Sequence, residues 1–349
     1  MNSEKCVVLA GGYDNRLITK SISRTGCKNM PSLSSNHTEA DTRIIFHVNV
    51  CSHQASDVIV QSMDTDVFVL LIGHFSKFKS NSKIWMHTGT INKTTDLRRF
   101  IPIHDLVLTL QKTFPNGFCD ALPVIHALTG CDTVSQFSFI GKKTVLSACN
   151  RVKTEIYEGL KLLHQATENE EIIKSAYDFV RCIYDSKNIH KSSSINSLRY
   201  KLAKANSNKG IDRLPPCEAE LFQHIRRASW QANEWNNAHL STIPLLEPAK
   251  SGWEILNDQL SPVYFEGNTA IEMLQKFFCS CKASKKSCTD EPSCPCLRNN
   301  FKCSEICKCS GGCSNQMTDL EEDEEKNRAE NNNTDTDEVI NEKNDEPNE

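Results

Sequence analysis

The stretch Asp57-Val58-Ile59-Val60-Gln61-Ser62-Met63-Asp64-Thr65-Asp66-Val67-Phe68-Val69-Leu70-Leu71-Ile72 decides how the first part of the chain is read. Val58-Ile59-Val60 has the β-branched character of a buried strand, which runs into Asp64-Thr65-Asp66 and then into the apolar run Val67 to Ile72. Toward the amino end, Cys6 to Ala10 reads as a strand ending at Gly11-Gly12. Thr38 is placed to cap a helix at Glu39, with Ile44, Ile45, Val48 and Cys51 as its apolar stripe. Toward the carboxyl end, Ile84-Trp85-Met86 and Phe100-Ile101 read as further strands, and helical spacing follows over 103–112 and 119–129. Strands alternating with helices predict an α/β domain over residues 1–150, built on a mainly parallel sheet covered on both faces.

Five acids punctuate this domain. Glu39 and Asp41 stand where the first helix opens, Asp64 and Asp66 follow the strand at 58–60, and Asp132 follows an apolar helix in Leu128-Thr129-Gly130-Cys131-Asp132. In an open parallel sheet, ligands gather outside the carboxyl ends of the strands, so folding could bring all five together there. Such a cluster repels itself unless a hard cation neutralises it, and Mg²⁺ or Mn²⁺ is the natural partner of carboxylates and a substrate phosphate. Two such ions roughly 3.5–4 Å apart can activate water and stabilise the leaving oxygen in phosphodiester cleavage. Each motif alone has a plainer reading: acids suit helix amino ends, where the backbone dipole favours negative charge, and Asp64-Thr65-Asp66 has the form of a capping turn.

In this order the motifs resemble the flap-endonuclease and exonuclease family of structure-specific 5′-nucleases. Glu39-Ala40-Asp41-Thr42-Arg43 is similar to its Glu-Ala-Glu/Asp-Ala motif, Asp64-Thr65-Asp66 to its Asp-x-Asp motif, and Phe118-Cys119-Asp120-Ala121 through Gly130-Cys131-Asp132 to the helix before its Gly-Cys/Ser-Asp motif. Phe139-Ile140-Gly141-Lys142-Lys143-Thr144-Val145 resembles the glycine-containing turn with which that family grips duplex backbone. The resemblance implies a PIN-like, Rossmann-like sheet, incomplete at its amino end. Glu39 and Asp41 would help hold one Mg²⁺ or Mn²⁺ and Asp64, Asp66 and Asp132 the other, with Gly141, Lys142 and Lys143 on nucleic-acid backbone. Asp14, the one early aspartate, is left unassigned. The run Asp120-Ala121-Leu122-Pro123 through Thr129-Gly130-Cys131-Asp132-Thr133 also resembles a set of uncharacterised animal proteins of mobile-element character that join such a core to a cysteine cluster.

Residues 151–240 read as a helical extension, with helix-like spacing at 156–165, 171–185, 195–205 and 218–238, the last introduced by Pro215-Pro216. Residues 241–278 read as an irregular linker and 316–349 as a disordered acidic tail. Residues 319–349 carry 14 Asp/Glu against 3 Lys/Arg, which leaves the remainder at +7 within a chain of net charge −4. The longest apolar run is six residues, against the roughly 20 a membrane-spanning helix needs, and no secretory leader is apparent. A membrane protein is therefore not expected, and reduced thiols are. His37, His47, His87, His104 and His126 are scattered and read as packing or surface residues, Trp230 and Trp235 as core, and Cys131 as a small buried residue rather than a nucleophile.

Nine of the 17 cysteines fall between 279 and 313. Cys279, Cys281, Cys288, Cys294, Cys296, Cys303, Cys307, Cys309 and Cys313 give C-x-C-x6-C-x5-C-x-C-x6-C-x3-C-x-C-x3-C. Tetrahedral zinc takes four ligands. Three zinc ions offer twelve places, which nine thiolates fill if three of them bridge; two separate sites with a spare thiol, or disulfides in an oxidising compartment, are the alternatives. So short a segment has no apolar core, and metal binding should be its folding. The spacing, with Asn315 after the last cysteine, resembles the tesmin-type CXC domain, which implies a DNA-binding zinc module over 279–315; Ser293 stands where that family carries a minor-groove tyrosine. Lys282, Lys285, Lys286, Arg298, Lys302 and Lys308 outnumber Asp290, Glu291 and Glu305, leaving +3 for phosphate attraction.

The expectation is a nuclear, nucleic-acid-associated protein with structural zinc, acting on or binding DNA or RNA, and hydrolysing phosphodiesters with Mg²⁺ or Mn²⁺ if active. A non-catalytic zinc-dependent DNA- or protein-binding protein, or a mobile-element remnant, is the alternative.

Overall fold

The computed structural model describes residues 5–13, 17–91, 95–165, 169–185, 187–190, 192–205, 211–266, 279–282, 288–289, 294–298, 302–303, 307–310 and 312–315. Asp14, Lys285, Lys286, Asp290, Glu291, Ser293, Glu305 and the acidic tail lie outside them. The described chain forms two units, residues 1–266 and residues 267–349.

The decisive stretch divides in two. Asp57–Gln61 is strand β4 and Thr65–Gly73 is helix α2, so the apolar run that follows the acids is helical. Asp64 makes the switch: its side chain accepts from the Asp66 backbone N–H at 2.8 Å, satisfying a donor that the helix itself leaves free. Val67, Val69, Leu70, Leu71 and Ile72 are all buried, as expected of a helix that is apolar on every side.

Strand β4 pairs in parallel with β5 (Lys83–Thr88), Ile59 opposite Trp85, and β5 pairs antiparallel with β6 (Arg99–Pro102), Met86 opposite Ile101. The expected mainly parallel sheet is thus a mixed, three-stranded one. The cause lies in the connections. Helix α2 crosses over between β4 and β5, whereas no helix lies among the described residues between Thr88 and Arg99, and a connection that short returns the chain antiparallel. A second sheet joins β1 (Val7–Ala10), β2 (Thr19–Ser23) and β3 (Gly26–Asn29) as an antiparallel meander; β2 and β3 were not foreseen.

Helix α1 (Ala40–Ser52) starts one residue later than the sequence suggested, with Glu39 at its N-cap and no side-chain cap bond. The helices that follow are α3 (Ile103–Thr113), α4 (Phe118–Leu128), α5 (Lys142–Cys149), α6 (Thr154–Lys161), α7 (Glu170–Tyr184), α8 (Ile195–Ala205) and α9 (Glu218–Asn236). Helix α4 is central, packing against α2, α3, α6 and α9. Phe118 at its start stacks on Phe114 with centroids 4.0 Å apart and meets Tyr157 of α6 edge-on. A single apolar core runs from Ile45 to Ala238, so the helices of 151–240 share it with the residues around the sheet.

Residues 241–266 do more than link. Asn36 and Ile243 exchange two hydrogen bonds, Nδ2 to the Ile243 carbonyl at 2.9 Å and the Ile243 N–H to Oδ1 at 2.8 Å. Trp253–Leu256 and Gln259–Pro262 form a hairpin, β7–β8, in place of the irregular chain expected there. Its turn residues Asn257 and Asp258 both have positive φ, the conformation a two-residue hairpin loop requires and one these residue types tolerate. Among the described residues no helix is long and apolar enough to cross a membrane.

Gly73 closes α2 against the ring of Pro123 in α4, and a Cβ there would overlap the Pro123 Cγ. An ordinary helical glycine gains stability on becoming alanine, by up to about 1 kcal/mol. Here the sign reverses: Gly73→Ala is expected to destabilise by about 1–3 kcal/mol through overpacking, read as a lowered urea midpoint at unchanged slope. A neutral or stabilising result would mean that the two helices do not meet this closely.

Candidate metal centres

Two helix amino ends and one loop supply the acid cluster. The start of α1 brings Glu39 and Asp41, the start of α2 brings Asp64 and Asp66, and the loop after α4 brings Asp132. Gly130, at φ +109°, turns that loop; a Cβ would come within 2.7 Å of the Gln136 Cα, so the chain needs glycine to present Cys131 and Asp132. The Cys131 N–H then bonds to the Val134 carbonyl at 2.9 Å and closes the loop.

Carboxylate oxygens of Asp41, Asp64 and Asp66 all lie within 4.8 Å of one another. Glu39, Asp41, Asp66 and Asp132 line a single cleft of 230 Å³ with Cys131, Thr133, Gln231 and Trp235. Burial, followed by the charges of Asp64, Asp66, Glu39 and Asp132, pushes the Asp41 carboxyl up to about 6. The predicted acids thus form two overlapping groups, Asp41, Asp64 and Asp66 within 4.8 Å of one another and Glu39, Asp41, Asp66 and Asp132 along the cleft, whose lining does not include Asp64. Two carboxylates at this separation repel by roughly 3 kcal/mol at an effective dielectric near 20, and the positive ends of α1 and α2 offset only part of that. A divalent cation fits the donor set: hard oxygens in excess, half-buried, with no ammonium or guanidinium among the cleft's lining residues.

Other side chains fix the carboxylates. His126 Nε2 donates to Asp66 Oδ1 at 2.8 Å while its ring stacks on Trp235 at 5.7 Å. Gln231 Nε2 donates to both oxygens of Glu39, at 3.3 and 3.4 Å, and Trp235 Nε1 to Oε2 at 3.3 Å. Thr133 donates to Gln231 Oε1 at 2.6 Å, which sets the amide's orientation. Sequence reasoning missed these four as site residues. His126 had been assigned to packing or surface, and Trp235 is in the core as expected but also holds Glu39. The signal was present in α9: His224, Ala228, Gln231 and Trp235 recur at helical spacing on one buried stripe, and three of them carry polar atoms.

The predicted backbone-gripping turn behaves otherwise at one position. Lys142 turns its ammonium onto the end of α4, donating to the His126 carbonyl at 2.9 Å, Thr129 Oγ1 at 3.0 Å and the Gly130 carbonyl at 2.5 Å. Burial pushes it down to about 8. Gly141 is the exposed N-cap of α5, and Lys143 is exposed beside it.

In the second unit all nine cysteines are described, eight of them buried and Cys281 half-buried. Sulfurs stand 3.7 Å apart for Cys279 and Cys288, 3.8 Å for Cys279 and Cys303, 3.5 Å for Cys279 and Cys309, 3.5 Å for Cys296 and Cys307, and 3.7 Å for Cys309 and Cys313. A zinc–sulfur bond of about 2.3 Å gives a tetrahedron whose edge is about 3.8 Å, so these gaps fit ligands around metal and are far longer than the roughly 2 Å of a disulfide. Three sulfur quartets are close enough to hold an ion: 279, 294, 296, 303; 279, 281, 288, 294; and 279, 288, 303, 309. Cys279 belongs to all three and Cys288, Cys294 and Cys303 to two each, an overlap of the kind bridging thiolates make, while Cys307 and Cys313 belong to none of them. Burial, followed by the Cys307 thiol beside it, pushes the Cys296 thiol up to about 12, so without a cation that group would stay protonated. Asn315 clamps the cluster, its N–H₂ on Cys303 Sγ at 3.5 Å and its carbonyl accepting from the Cys303 N–H at 2.6 Å. Lys282 is exposed at the edge of this unit.

Asp41 supplies a stability test. Its carboxyl is raised in the folded state, so the folded chain holds that proton more tightly than the unfolded one. The resulting stability is complete below about pH 4 and is lost as pH rises through about 6. In EDTA, melting temperature should fall over that window, and Mn²⁺ at pH 7.5 should restore it. Asp64→Asn, which keeps the α2 cap because Asn caps as well as Asp, should melt higher than wild type in EDTA and respond less to Mn²⁺. A lower melting temperature in EDTA would mean that the carboxylates do not repel as the geometry requires. No family model, curated protein or solved structure matches the chain, so its chemistry is read from these distances and charges.

Proposed function

We propose that the chain is a divalent-metal-dependent nuclease of PIN-like type, in which Glu39, Asp41, Asp64, Asp66 and Asp132 hold Mg²⁺ or Mn²⁺, joined to a zinc module of CXC type that holds nucleic acid in the nucleus. The observation that carries the reading is geometric: carboxylate oxygens of Asp41, Asp64 and Asp66 lie within 4.8 Å of one another, and Glu39, Asp41, Asp66 and Asp132 line one cleft. The parallel β4–α2–β5 unit supports it too, since Asp64 and Asp66 stand just beyond the carboxyl end of β4, where such sheets bind ligands.

When bound, the cations would activate water and neutralise charge on a phosphodiester. The protein's own part is positional. His126 holds Asp66 in one rotamer, and Gln231 with Trp235 holds Glu39, so the oxygens are oriented before a cation arrives. Lys143, exposed at the start of α5, and Lys282, exposed in the cysteine module, are two groups positioned to meet phosphate. A second reading, a binding protein with a nuclease-like scaffold, is favoured by Lys142, whose ammonium is spent on α4 rather than offered to a backbone phosphate.

Incubation of the full chain with end-labelled flap DNA, duplex DNA and single-stranded RNA in Mn²⁺ should give cleavage that EDTA stops and that Asp64→Asn with Asp66→Asn reduces to background. Intact substrate at high protein concentration rejects catalysis; retained binding then supports the scaffold reading. Cleavage that survives the double substitution belongs to a contaminant.

For the cysteine module, the proposed content is three zinc ions shared by nine thiolates. Metal analysis of protein purified with zinc present should return close to three per chain. Two per chain would favour separate sites with a spare thiol, and none would remove the zinc assignment.

A further inference from the structure

Strand β4 lies at the edge of its sheet, with β5 on one side and, among the described residues, no hydrogen-bonded strand on the other. A cavity of 440 Å³ runs along that open side. Val58, Ile59, Val60 and Gln61 all line it. Successive strand residues point to opposite faces, so four consecutive lining residues place the cavity along the strand's edge and not over one face. Helix α1 forms the opposite wall, through Ala40, Ile44 and Val48 at four-residue spacing. Val8 and Ala10 of strand β1 line the slot as well.

Two further observations set the slot apart from loose packing. Arg43 and His47 line it, and Arg43 Nε and His47 Nε2 are buried with no hydrogen-bond partner. Nearly all buried polar groups in folded proteins are paired, and Arg43 uses another nitrogen, Nη2, on the His37 carbonyl at 2.8 Å. The middle of the edge carries little protection, the one charge on β4 being Asp57 at its start. Ile59 is 59% exposed, and neither proline nor charge interrupts Val58-Ile59-Val60, although natural edge strands ordinarily carry such protection.

We propose that this slot is a strand-addition site that receives an extended segment of a partner polypeptide, whose backbone pairs with the open edge of β4, whose apolar side chains pack on Ile44 and Val48, and whose acidic side chain meets Arg43. The row of backbone donors and acceptors selects another backbone over a small molecule, because only a second strand repeats at the same spacing. The charge selects an acidic segment: Arg43 is the one permanent cation among the lining residues, and none of them is a carboxylate. Ala40 borders both the slot and the acid cleft, but the proposal does not depend on metal chemistry.

Panning the full, zinc-loaded chain against a displayed library of random heptapeptides tests it, with an enriched peptide then titrated by fluorescence anisotropy. Enriched sequences should alternate apolar residues, carry Asp or Glu, and bind in the micromolar range. Binding should slow amide exchange at Val58, Ile59 and Val60. Ile59→Lys, at an exposed position, should weaken the complex at least tenfold. Arg43→Gln should weaken the acidic peptide but leave its Asn or Gln counterpart unchanged, a difference that a mere loss of folding would not produce. No enrichment over the Ile59→Lys protein overturns the proposal. So does binding that survives N-methylation of the peptide backbone, or binding with no protection at β4. A chain that self-associates through β4 and becomes monomeric on Ile59→Lys would assign the slot to a second copy instead, and would also overturn it.

Discussion

Helix α4 ends inside the protein, and its last carbonyls must find donors there. Leu128 and Thr129 are buried, so water cannot satisfy the free backbone oxygens that every helix terminus leaves. Two side chains do it, one from the next helix and one 96 residues away. His224 Nε2 donates to the Leu128 carbonyl at 2.8 Å, and Lys142 donates to those of His126 and Gly130. His224 is neutral in this role, since burial pushes it down to about 4, which leaves one N–H to give. Lys142 keeps its charge below about pH 8, where a cation at a helix carboxyl end is also favoured by the backbone dipole.

This capping organises the acid site. Once His224 is fixed on α4, the stripe that continues along α9 puts Ala228 against the core and carries Gln231 and Trp235 to Glu39. Alanines that are fully buried on both helices, Ala121 and Ala127 on α4 and Ala228 and Ala232 on α9, leave room for the two backbones to come close. The same α4 carries His126 to Asp66 and delivers the Gly130 turn that presents Asp132. A helix terminus and the acid cleft are therefore one problem here, and the residues that solve the first position the second.

The acids themselves were legible in the sequence because each sits at an element boundary, where strand and helix patterns break. Glu39, Asp41, Asp64, Asp66 and Asp132 needed only the local pattern and the rule for open sheets. The cysteine module was legible for a similar reason: its spacing is local, and sulfurs so arranged have few alternatives. What sequence pattern could not supply was pairing. Val67 to Ile72 is β-branched and apolar enough for a strand, and the Asp64 cap together with burial on all sides makes it a helix. The direction of β6 depended on the absence of a crossover helix after Thr88. Gln231 lies 192 residues from Glu39 and Trp235 lies 196, so no local window contains both partners. Lys142 read as a phosphate contact because a lysine beside a glycine turn has that form, and the buried end of α4 made the stronger demand on it.

That demand has a consequence for how nucleic acid would approach. A cleft lined by Glu39, Asp41, Asp66 and Asp132, with no cation among its lining residues, repels a phosphodiester as strongly as it attracts a metal ion. Electrostatics therefore orders the events: the cation must neutralise the carboxylates before a phosphate can enter. Affinity for nucleic acid in the absence of divalent metal has to come from elsewhere on the chain, and the +3 balance of the cysteine module is one source of the required sign. Affinity that arises in this way is sequence-independent and falls with salt, whereas the metal site is held by half-buried groups that salt screens much less. On the proposed reading the two centres would divide recognition from chemistry by charge alone, one attracting the polyanion and the other tolerating it only after a metal ion is in place.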